Sequence, residues 1–211
     1  MISIMSKAKT AQSAKKWTFI RVFPWLLLIA GIIGLTASFT LTVEKLEVVK
    51  NPNYVATCDI NPIISCGTIM RSDQAEAFGF PNPLLGLICF TAVGVVGGGL
   101  LAGARFKRWF WILFQFGLLF AAGFVHWLFY QAVYNINALC PYCMVVWSVT
   151  IPAFWYTLLY NLRQGNIKTP QGLQKTVNFA QRHHLDILVL WYVVIAGLIL
   201  HHFWYYFGTL I

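Results

Sequence analysis

The sequence predicts an all-α integral membrane protein with five transmembrane helices. Of its 211 residues, 59% are apolar and only 10% are charged, whereas soluble domains carry about 25% charged residues. Mean hydropathy is +0.68. Five nearly uncharged runs are each long enough to cross a bilayer, and they cover residues 22–43, 83–104, 109–134, 139–162 and 187–207. Because backbone polar groups in lipid must bond within their own segment, helices are the expected spanning elements, and we predict one membrane domain over 1–211.

The first apolar run has two interpretations. Lysines precede it, so a cleaved signal peptide is one possibility. The apolar core of a signal peptide is usually only about 7 to 15 residues long, and residues 22–43 form a longer run. We therefore predict a retained membrane anchor.

The distribution of basic residues predicts the orientation. Twelve of the fifteen lie before span one, between spans two and three, or between spans four and five. By the positive-inside rule these segments face the cytoplasm, so the N-terminus is predicted inside and the C-terminus outside. The net charge of +9 is thereby explained by topology, and no nucleic-acid partner is predicted.

An outer segment over 44–82 joins spans one and two. It holds the three remaining basic residues and five of the six acidic residues. Within it, the stretch "PIISCGTIMRSDQAEAFG" alternates apolar and polar residues with rough helical periodicity, which is suited to lying on the membrane face or capping the helices. Cys58 and Cys66 lie in this segment, on the same side of the membrane as Cys140 and Cys143 of "CPYC".

The position of "CPYC" has a chemical consequence. Span four runs from outside to inside, which places Cys140 near the helix N-cap, Pro141 in the first helical position and Cys143 on the same face. Since a helix N-terminus stabilises a thiolate, we predict that Cys143 is a nucleophile or electron donor at the lipid boundary and that Cys140 is the more accessible of the two. A thiol pair at this depth can reach a lipid-soluble quinone.

The loop pair supplies a route from water to that thiol pair. A disulfide between Cys58 and Cys66 could accept electrons from a soluble dithiol and pass them to Cys140 and Cys143 by thiol–disulfide exchange. A zinc site is disfavoured by the eight-residue spacing of the loop pair, so no metal is predicted. Purely structural disulfides remain an alternative, and Cys89, in span two, is predicted to be a packing residue.

The motifs "CDINPIISC", "GFPNPLLGL" and "CPYC", within residues 56–147, resemble those of the vitamin K epoxide reductase family, particularly of its bacterial members that reoxidise disulfide-donor proteins. The resemblance implies a four-helix bundle of spans one to four around a quinone, with menaquinone favoured over ubiquinone, and a peripheral fifth helix. No thioredoxin-like domain follows span five, so the implied partner is a separate DsbA-like thioredoxin-fold protein. The implied location is a bacterial cytoplasmic membrane with an extracytoplasmic active site.

The resemblance also implies roles for the cysteines. Cys140 and Cys143 correspond to the active-site pair, with Cys143 next to the quinone ring, and Cys58 and Cys66 correspond to the shuttle pair. We expect Cys58 to exchange with the partner and Cys66 to exchange with Cys140, although their spacing permits the opposite order.

Three further residues are candidates for cofactor binding. Asn82 matches the family asparagine that hydrogen-bonds a quinone oxygen, and with Pro83 it also predicts a helix N-cap and first turn. Trp147 stands where vertebrate members have a tyrosine, and its indole can donate but not accept a hydrogen bond. His126 lies deep in span three, where an ionisable group either handles protons near the quinone or makes an interhelical hydrogen bond.

Two other groups have expected roles in the membrane. His201 and His202 are predicted to be interfacial, and Gly94 with Gly97, Gly98 and Gly99 is predicted to allow close helix packing.

The sequence therefore predicts a quinone-dependent thiol oxidase that reoxidises an extracytoplasmic disulfide donor. The alternatives are a vitamin K epoxide or quinone reductase of an endomembrane and a non-enzymatic membrane scaffold held by structural disulfides.

Overall fold

A computed structural model describes residues 2–51 and 53–207, with side chains over 21–51 and 53–206. The chain is helical, and the described residues contain no strand beyond one isolated bridge. The helices are α1 (Ile2–Lys50), α2 (Cys66–Met70), α3 (Asn82–Leu101), α4 (Arg108–Tyr130), α5 (Pro141–Arg163), α6 (Gln174–Arg182), α7 (His184–His202) and α8 (Trp204–Phe207). Short 3-10 helices cover Asp73–Glu76 and Gln171–Leu173, and a π-helix over Gln131–Ile136 extends α4.

Five of these helical segments are long and apolar enough to cross a membrane, which confirms the predicted number of spans. They are Arg21–Lys50, Asn82–Leu101, Arg108–Ile136, Pro141–Arg163 and His184–His202. The protein is therefore a multi-pass all-α membrane protein. The first span continues past its predicted end at residue 43 because the polar residues that follow remain helical up to Lys50.

Four helices form the bundle, and the fifth lies outside it. α1 packs against α3 and α5, and α4 packs against α5, around a core that includes Phe23, Leu27, Val93, Trp111 and Leu159. None of the most apolar part of α7 is buried. The peripheral position predicted for the fifth span is therefore confirmed.

Small residues allow α1 and α3 to approach closely. A Cβ atom added to Gly97 would lie 2.5 Å from the backbone nitrogen of Leu28, and one added to Gly31 would collide with the backbone of Gly94. The packing role predicted for Gly97 is thus confirmed, whereas Cβ atoms added to Gly94 and Gly98 would meet nothing nearer than 3.6 and 4.0 Å. Gly99 differs, since its nearest neighbour is the ring of Phe106, 3.5 Å from a Cβ built there.

The two ends of the bundle are chemically distinct. The end that carries Cys58, Cys66, Cys140 and Cys143 is called the cysteine end, and the end that carries Arg105, Lys107 and Arg108 is called the basic end. At the cysteine end, the predicted amphipathic stretch forms two short helices, α2 and Asp73–Glu76, because the chain turns at Arg71 and Ser72.

Candidate functional site

A parallel bridge between Ile64 and Leu139 brings the two cysteine pairs together. The backbone N–H of Leu139 donates to the carbonyl of Ile63 at 2.7 Å, and the N–H of Ser65 donates to the carbonyl of Leu139 at 2.9 Å. These bonds align the outer segment with the chain that enters α5. Cys66, two residues after Ile64, and Cys140, one residue after Leu139, therefore become neighbours.

The sulfur atoms of this cluster are close enough for thiol–disulfide exchange. Cys58 and Cys66 form a disulfide with a Cα–Cα distance of 5.6 Å, while Cys140 and Cys143 are free thiols. The Cys66 sulfur lies 3.0 Å from the Cys140 sulfur. The sulfurs of Cys58, Cys66 and Cys140 all lie within 4.8 Å of one another. Cys66 is fully buried, whereas Cys58 is 7% exposed, so Cys58 is the sulfur of this disulfide with more access to solvent.

The N-terminus of α5 donates a hydrogen bond to Cys140. Cys140 is the N-cap of α5, and its sulfur accepts a hydrogen bond from the backbone N–H of Cys143 at 3.4 Å. A hydrogen bond from the Cys143 thiol, assisted by the N–H groups of Cys143 and Tyr142, lowers the pKa of Cys140 even though burial opposes ionisation. The sequence predicted this effect of the helix N-terminus for Cys143, whereas in the structure Cys140 is the N-cap that accepts the backbone N–H.

The predicted accessibility of the pair was wrong. Cys140 is only 1% exposed, while Cys143 is half-buried. The bridge between Ile64 and Leu139 lays the outer segment over Cys140, which covers its thiol.

An apolar cavity extends from this cluster into the bundle. Cys140 and Cys143 line the cavity at the cysteine end. Side chains of α1, α3, α4 and α5 form its walls, among them Leu41, Phe90, Phe124, Val125 and Trp147. Cavities that bind small ligands are mostly apolar with a few placed polar groups. The composition of these walls fits the ring and tail of a quinone.

Comparison with known proteins agrees with this geometry. A sequence model of the vitamin K epoxide reductase family matches residues 25–158. The chain belongs to the vitamin K epoxide reductase family. A search of curated proteins found no match.

Membership of this family identifies the protein as an oxidoreductase of the membrane. The family links disulfide chemistry to quinones, and the matched residues include all four cysteines at the cysteine end, Asn82, Trp147 and His126. The resemblance read from the motifs is confirmed.

Asn82 lines the cavity but does not cap a helix. α3 begins at Asn82 itself, after Pro81. Its side-chain nitrogen donates to the carbonyl of Gln74 at 2.7 Å, and its oxygen accepts from the N–H of Ala77 at 3.1 Å. The predicted N-cap was thus wrong, because these polar atoms hold the outer segment over the cavity instead.

Lys45 of α1 also lines the cavity and bonds the outer segment. Its ammonium group donates to the carbonyl of Met70 at 2.6 Å and pairs with Glu76 at 2.9 Å. Its side chain is only 9% exposed, and it lines the cavity. Lys45 from α1 and Asn82 from α3 therefore both fasten residues 70–77 of the segment that covers the site.

Trp147 lies in the cavity wall, as its position in the family motif suggested. It is buried, and its ring meets the edge of Phe129 at a centroid distance of 5.4 Å. Cys89, predicted to be a packing residue, is half-buried and also lines the cavity.

His126 lies away from the cavity. Its Nδ1 bonds the carbonyl of Ala122 at 2.7 Å, and its Nε2 accepts from the indole N–H of Trp191 at 2.8 Å. It is not among the residues that line the cavity. This placement supports the interhelical hydrogen bond, here between α4 and α7.

His202 has a structural partner as well. Its Nε2 bonds the side-chain oxygen of Asn137 at 2.7 Å. Asn137 has a left-handed backbone, with φ of 57°, and lies in the turn between the π-helix and α5. This bond ties the end of α7 to the loop before Cys140, while His201 is exposed.

Sequence reasoning missed Asp59, which organises the disulfide loop. One carboxylate oxygen accepts from the hydroxyl of Ser65 at 2.9 Å and the N–H of Gly67 at 2.8 Å, and the other accepts from the N–H of Ala56 at 3.3 Å. An acidic residue directly after the first loop cysteine was the available signal. These bonds fix the chain on both sides of Cys66.

A metal at the sulfur cluster would need a different redox state. The sulfurs of Cys58, Cys66 and Cys140 are close enough to share an ion, but two of them are joined in a disulfide. Zinc binds thiolates, and structural zinc usually takes four ligands. The geometry present is that of an exchange site.

Proposed function

We propose that the protein is a quinone-dependent thiol oxidase that reoxidises a DsbA-like thioredoxin-fold protein. The observation that carries this proposal is the 3.0 Å separation between the sulfurs of Cys66 and Cys140. This contact brings a disulfide at the cysteine end next to a thiol that lines the apolar cavity. Structural bridges would not need a free thiol in contact with a disulfide.

The first exchange takes place at Cys58. A thiolate of the reduced partner attacks the Cys58 sulfur, which breaks the Cys58–Cys66 bond and releases the Cys66 thiolate. The second partner thiol then attacks the mixed disulfide, which releases Cys58 and leaves the partner oxidised. The smaller burial of Cys58 compared with Cys66 supports this order.

The second exchange moves the electron pair into the bundle. The Cys66 thiolate attacks Cys140 of an oxidised Cys140–Cys143 pair, and Cys143 leaves as a thiolate. Cys58 then attacks Cys66 of the Cys66–Cys140 bond, which restores the loop disulfide and frees Cys140. Since the leaving group of this last step is Cys140, the hydrogen bonds that lower its pKa assist its departure.

A quinone bound in the cavity supplies the final acceptor of two electrons and two protons. Cys140 and Cys143 face the cavity and return to a disulfide when they give up that pair. The apolar walls position the ring and exclude water, and Asn82 and Trp147 are the proposed contacts of the quinone. Menaquinone is the first quinone to test.

The redox direction follows from the partner. A disulfide donor of the DsbA type has a potential of about −120 mV, so only a more oxidising acceptor can regenerate it. We place the cysteine end on the extracytoplasmic side of a bacterial cytoplasmic membrane, in agreement with the excess of basic residues at the other end.

The deciding experiment is anaerobic quinone reduction by the purified protein, with a reduced thioredoxin-fold donor. We expect turnover in the parent and its loss in Cys140→Ser and Cys143→Ser, while Thr91→Ser, on an exposed position of α3, serves as the control. Undiminished turnover in both cysteine variants would contradict the assignment of Cys140 and Cys143 as the active-site pair. Turnover of vitamin K epoxide without oxidation of the donor would replace the proposal with epoxide reduction.

A further inference from the structure

A cluster of polar side chains is buried between α4 and α5 near the basic end. Gln115, Thr157 and Asn161 are all at least nine-tenths buried within predicted spans. The side-chain nitrogen of Asn161 donates to the Gln115 oxygen at 3.1 Å and to the carbonyl of Trp111 at 3.3 Å. Polar groups are costly at this depth and commonly mark a pathway or site.

Hydrogen bonds connect this cluster to the surface of the basic end. The side-chain nitrogen of Asn166 donates to the side-chain oxygen of Asn161 at 3.0 Å. The guanidinium of Arg108, which is exposed, donates to the carbonyl of Asn166 at 2.7 Å. The chain of contacts therefore runs from solvent at Arg108 to Gln115 inside the bundle.

Two polar atoms in the buried cluster, one of Gln115 and one of Thr157, lack a hydrogen-bond partner among the described residues. Within the described part of the chain, the Gln115 side-chain nitrogen and the Thr157 hydroxyl are buried and make no hydrogen bond. Leaving such atoms unsatisfied is costly, and in proteins a buried water usually bonds them. Their position therefore indicates a binding site for water.

The unsatisfied atoms lie next to the floor of the cavity. Leu118 of α4 and Ala153 of α5 line the cavity. Gln115 precedes Leu118 by three residues and Thr157 follows Ala153 by four, so each lies on the same helix face as its cavity residue. The helical rise puts them about 4.5 to 6 Å deeper. Only this single turn separates the buried polar cluster from the cavity.

We propose that Asn166, Asn161, Gln115 and Thr157, called the polar column, bind water and conduct protons from the basic end to the quinone cavity. The proposal rests on the proposed function. Each turnover takes two electrons from the partner dithiol, whose two protons are released at the cysteine end. The quinone gains those two electrons together with two protons that enter through the polar column, so atoms and charge balance. Disulfide formation would then consume protons on one side of the membrane and release them on the other.

The test uses the whole protein in sealed, quinone-loaded phospholipid vesicles with a pH-sensitive dye inside. Reduced thioredoxin is added outside and cannot cross the bilayer, so only molecules with an outward cysteine end turn over. We expect the vesicle interior to become alkaline in step with quinone reduction, by up to two protons per quinone. A proton carrier should abolish the signal while turnover continues.

Two substitutions test the route. Thr157→Val and Gln115→Leu together should slow both quinone reduction and internal alkalinisation about tenfold or more, while disulfide exchange with thioredoxin at the cysteine end is unchanged. Thr157→Ser keeps the hydroxyl and should retain parental rates. Thr36→Val and Gln174→Leu, at exposed positions, are matched controls.

The outcomes separate the two proposals. Quinone reduction in the parent without internal alkalinisation would overturn the polar column, because the protons would then come from the cysteine end. Unchanged alkalinisation in the double variant would overturn it as well. Absence of any quinone reduction in the parent would instead contradict the proposed function. Should the double variant fail to fold, the parent measurement still decides whether the protons enter from the basic end, and Thr157→Val alone, compared with Thr157→Ser, tests the route.

Discussion

The sulfur of Cys66 lies 3.0 Å from the sulfur of Cys140, and the same Cys66 is joined to Cys58 in a disulfide. This relationship selects one exchange partner for each loop cysteine. Cys66 contacts the pair inside the bundle, which leaves Cys58 as the proposed site of exchange with the soluble partner.

Replacement of Cys143 by serine should trap the internal exchange. Cys140 can then attack Cys66 and release Cys58, and Cys58 is the one thiol left that can resolve the Cys66–Cys140 bond, so acid quenching followed by alkylation of Cys58 traps it. We expect a Cys66–Cys140 disulfide as the main internal crosslink in non-reducing peptide mass spectrometry. A predominant Cys58–Cys140 crosslink would reverse the assigned order.

The rate of this internal attack should depend on pH through Cys140. Its lowered pKa keeps the reactive thiolate present at pH values below the usual thiol range, and the rate is lost as pH falls through that lowered pKa. Cys143→Ala removes the largest cause of the shift, the hydrogen bond from the Cys143 thiol. The midpoint of the rate profile, measured by quenching and peptide mapping, should therefore move to higher pH. An unmoved midpoint would show that the backbone N–H groups alone set it.

Substitution of Asp59 by alanine should disorder the disulfide loop. It removes the acceptor for three donors, each worth about 1 to 3 kcal/mol when left unsatisfied and buried. We expect internal exchange to slow and Cys66 to become open to alkylation after reduction. Asp73→Ala, at an exposed position, is the control, and equal effects of the two variants would contradict a specific role for Asp59.

The contact between α1 and α3 should respond unequally to added methyl groups. Gly97→Ala places a Cβ 2.5 Å from the backbone of Leu28, whereas in Gly94→Ala the nearest atom lies 3.6 Å away. Thermal unfolding in detergent should show a lower midpoint for Gly97→Ala, with a cost of about 1 to 3 kcal/mol from overpacking, and little change for Gly94→Ala. Gly117→Ala, which meets nothing within 4 Å, should behave as the parent.

Loss of the His126 imidazole should affect docking of the fifth helix and not the chemistry. His126→Leu removes one hydrogen bond to Trp191, worth about 0.6 kcal/mol on average between membrane helices. We expect slightly faster proteolysis at the α6–α7 connection and an unchanged rate of quinone reduction. A large loss of turnover without loss of stability would show that His126 takes part in quinone reduction.

Hydropathy and charge were sufficient to predict the spans, since each span is long, apolar and bounded by polar residues. The positions of individual side chains were less predictable. His126 could have faced the cavity or α7, and only the indole of Trp191, far along the chain, decides between them. Asn82 followed by proline is typical of a helix N-cap, but the carbonyl of Gln74 and the N–H of Ala77 compete for its side chain.

What the sequence by itself determined is the class of molecule: five membrane helices, a set of cysteines gathered at one end and motifs of a quinone-linked redox family. These follow from composition and from short local patterns. Only the tertiary structure decided which sulfurs touch, because the bridge between Ile64 and Leu139 joins segments that are distant in sequence. That bridge buries Cys140 and sets Cys66 against it, and no local propensity encodes a contact of that kind.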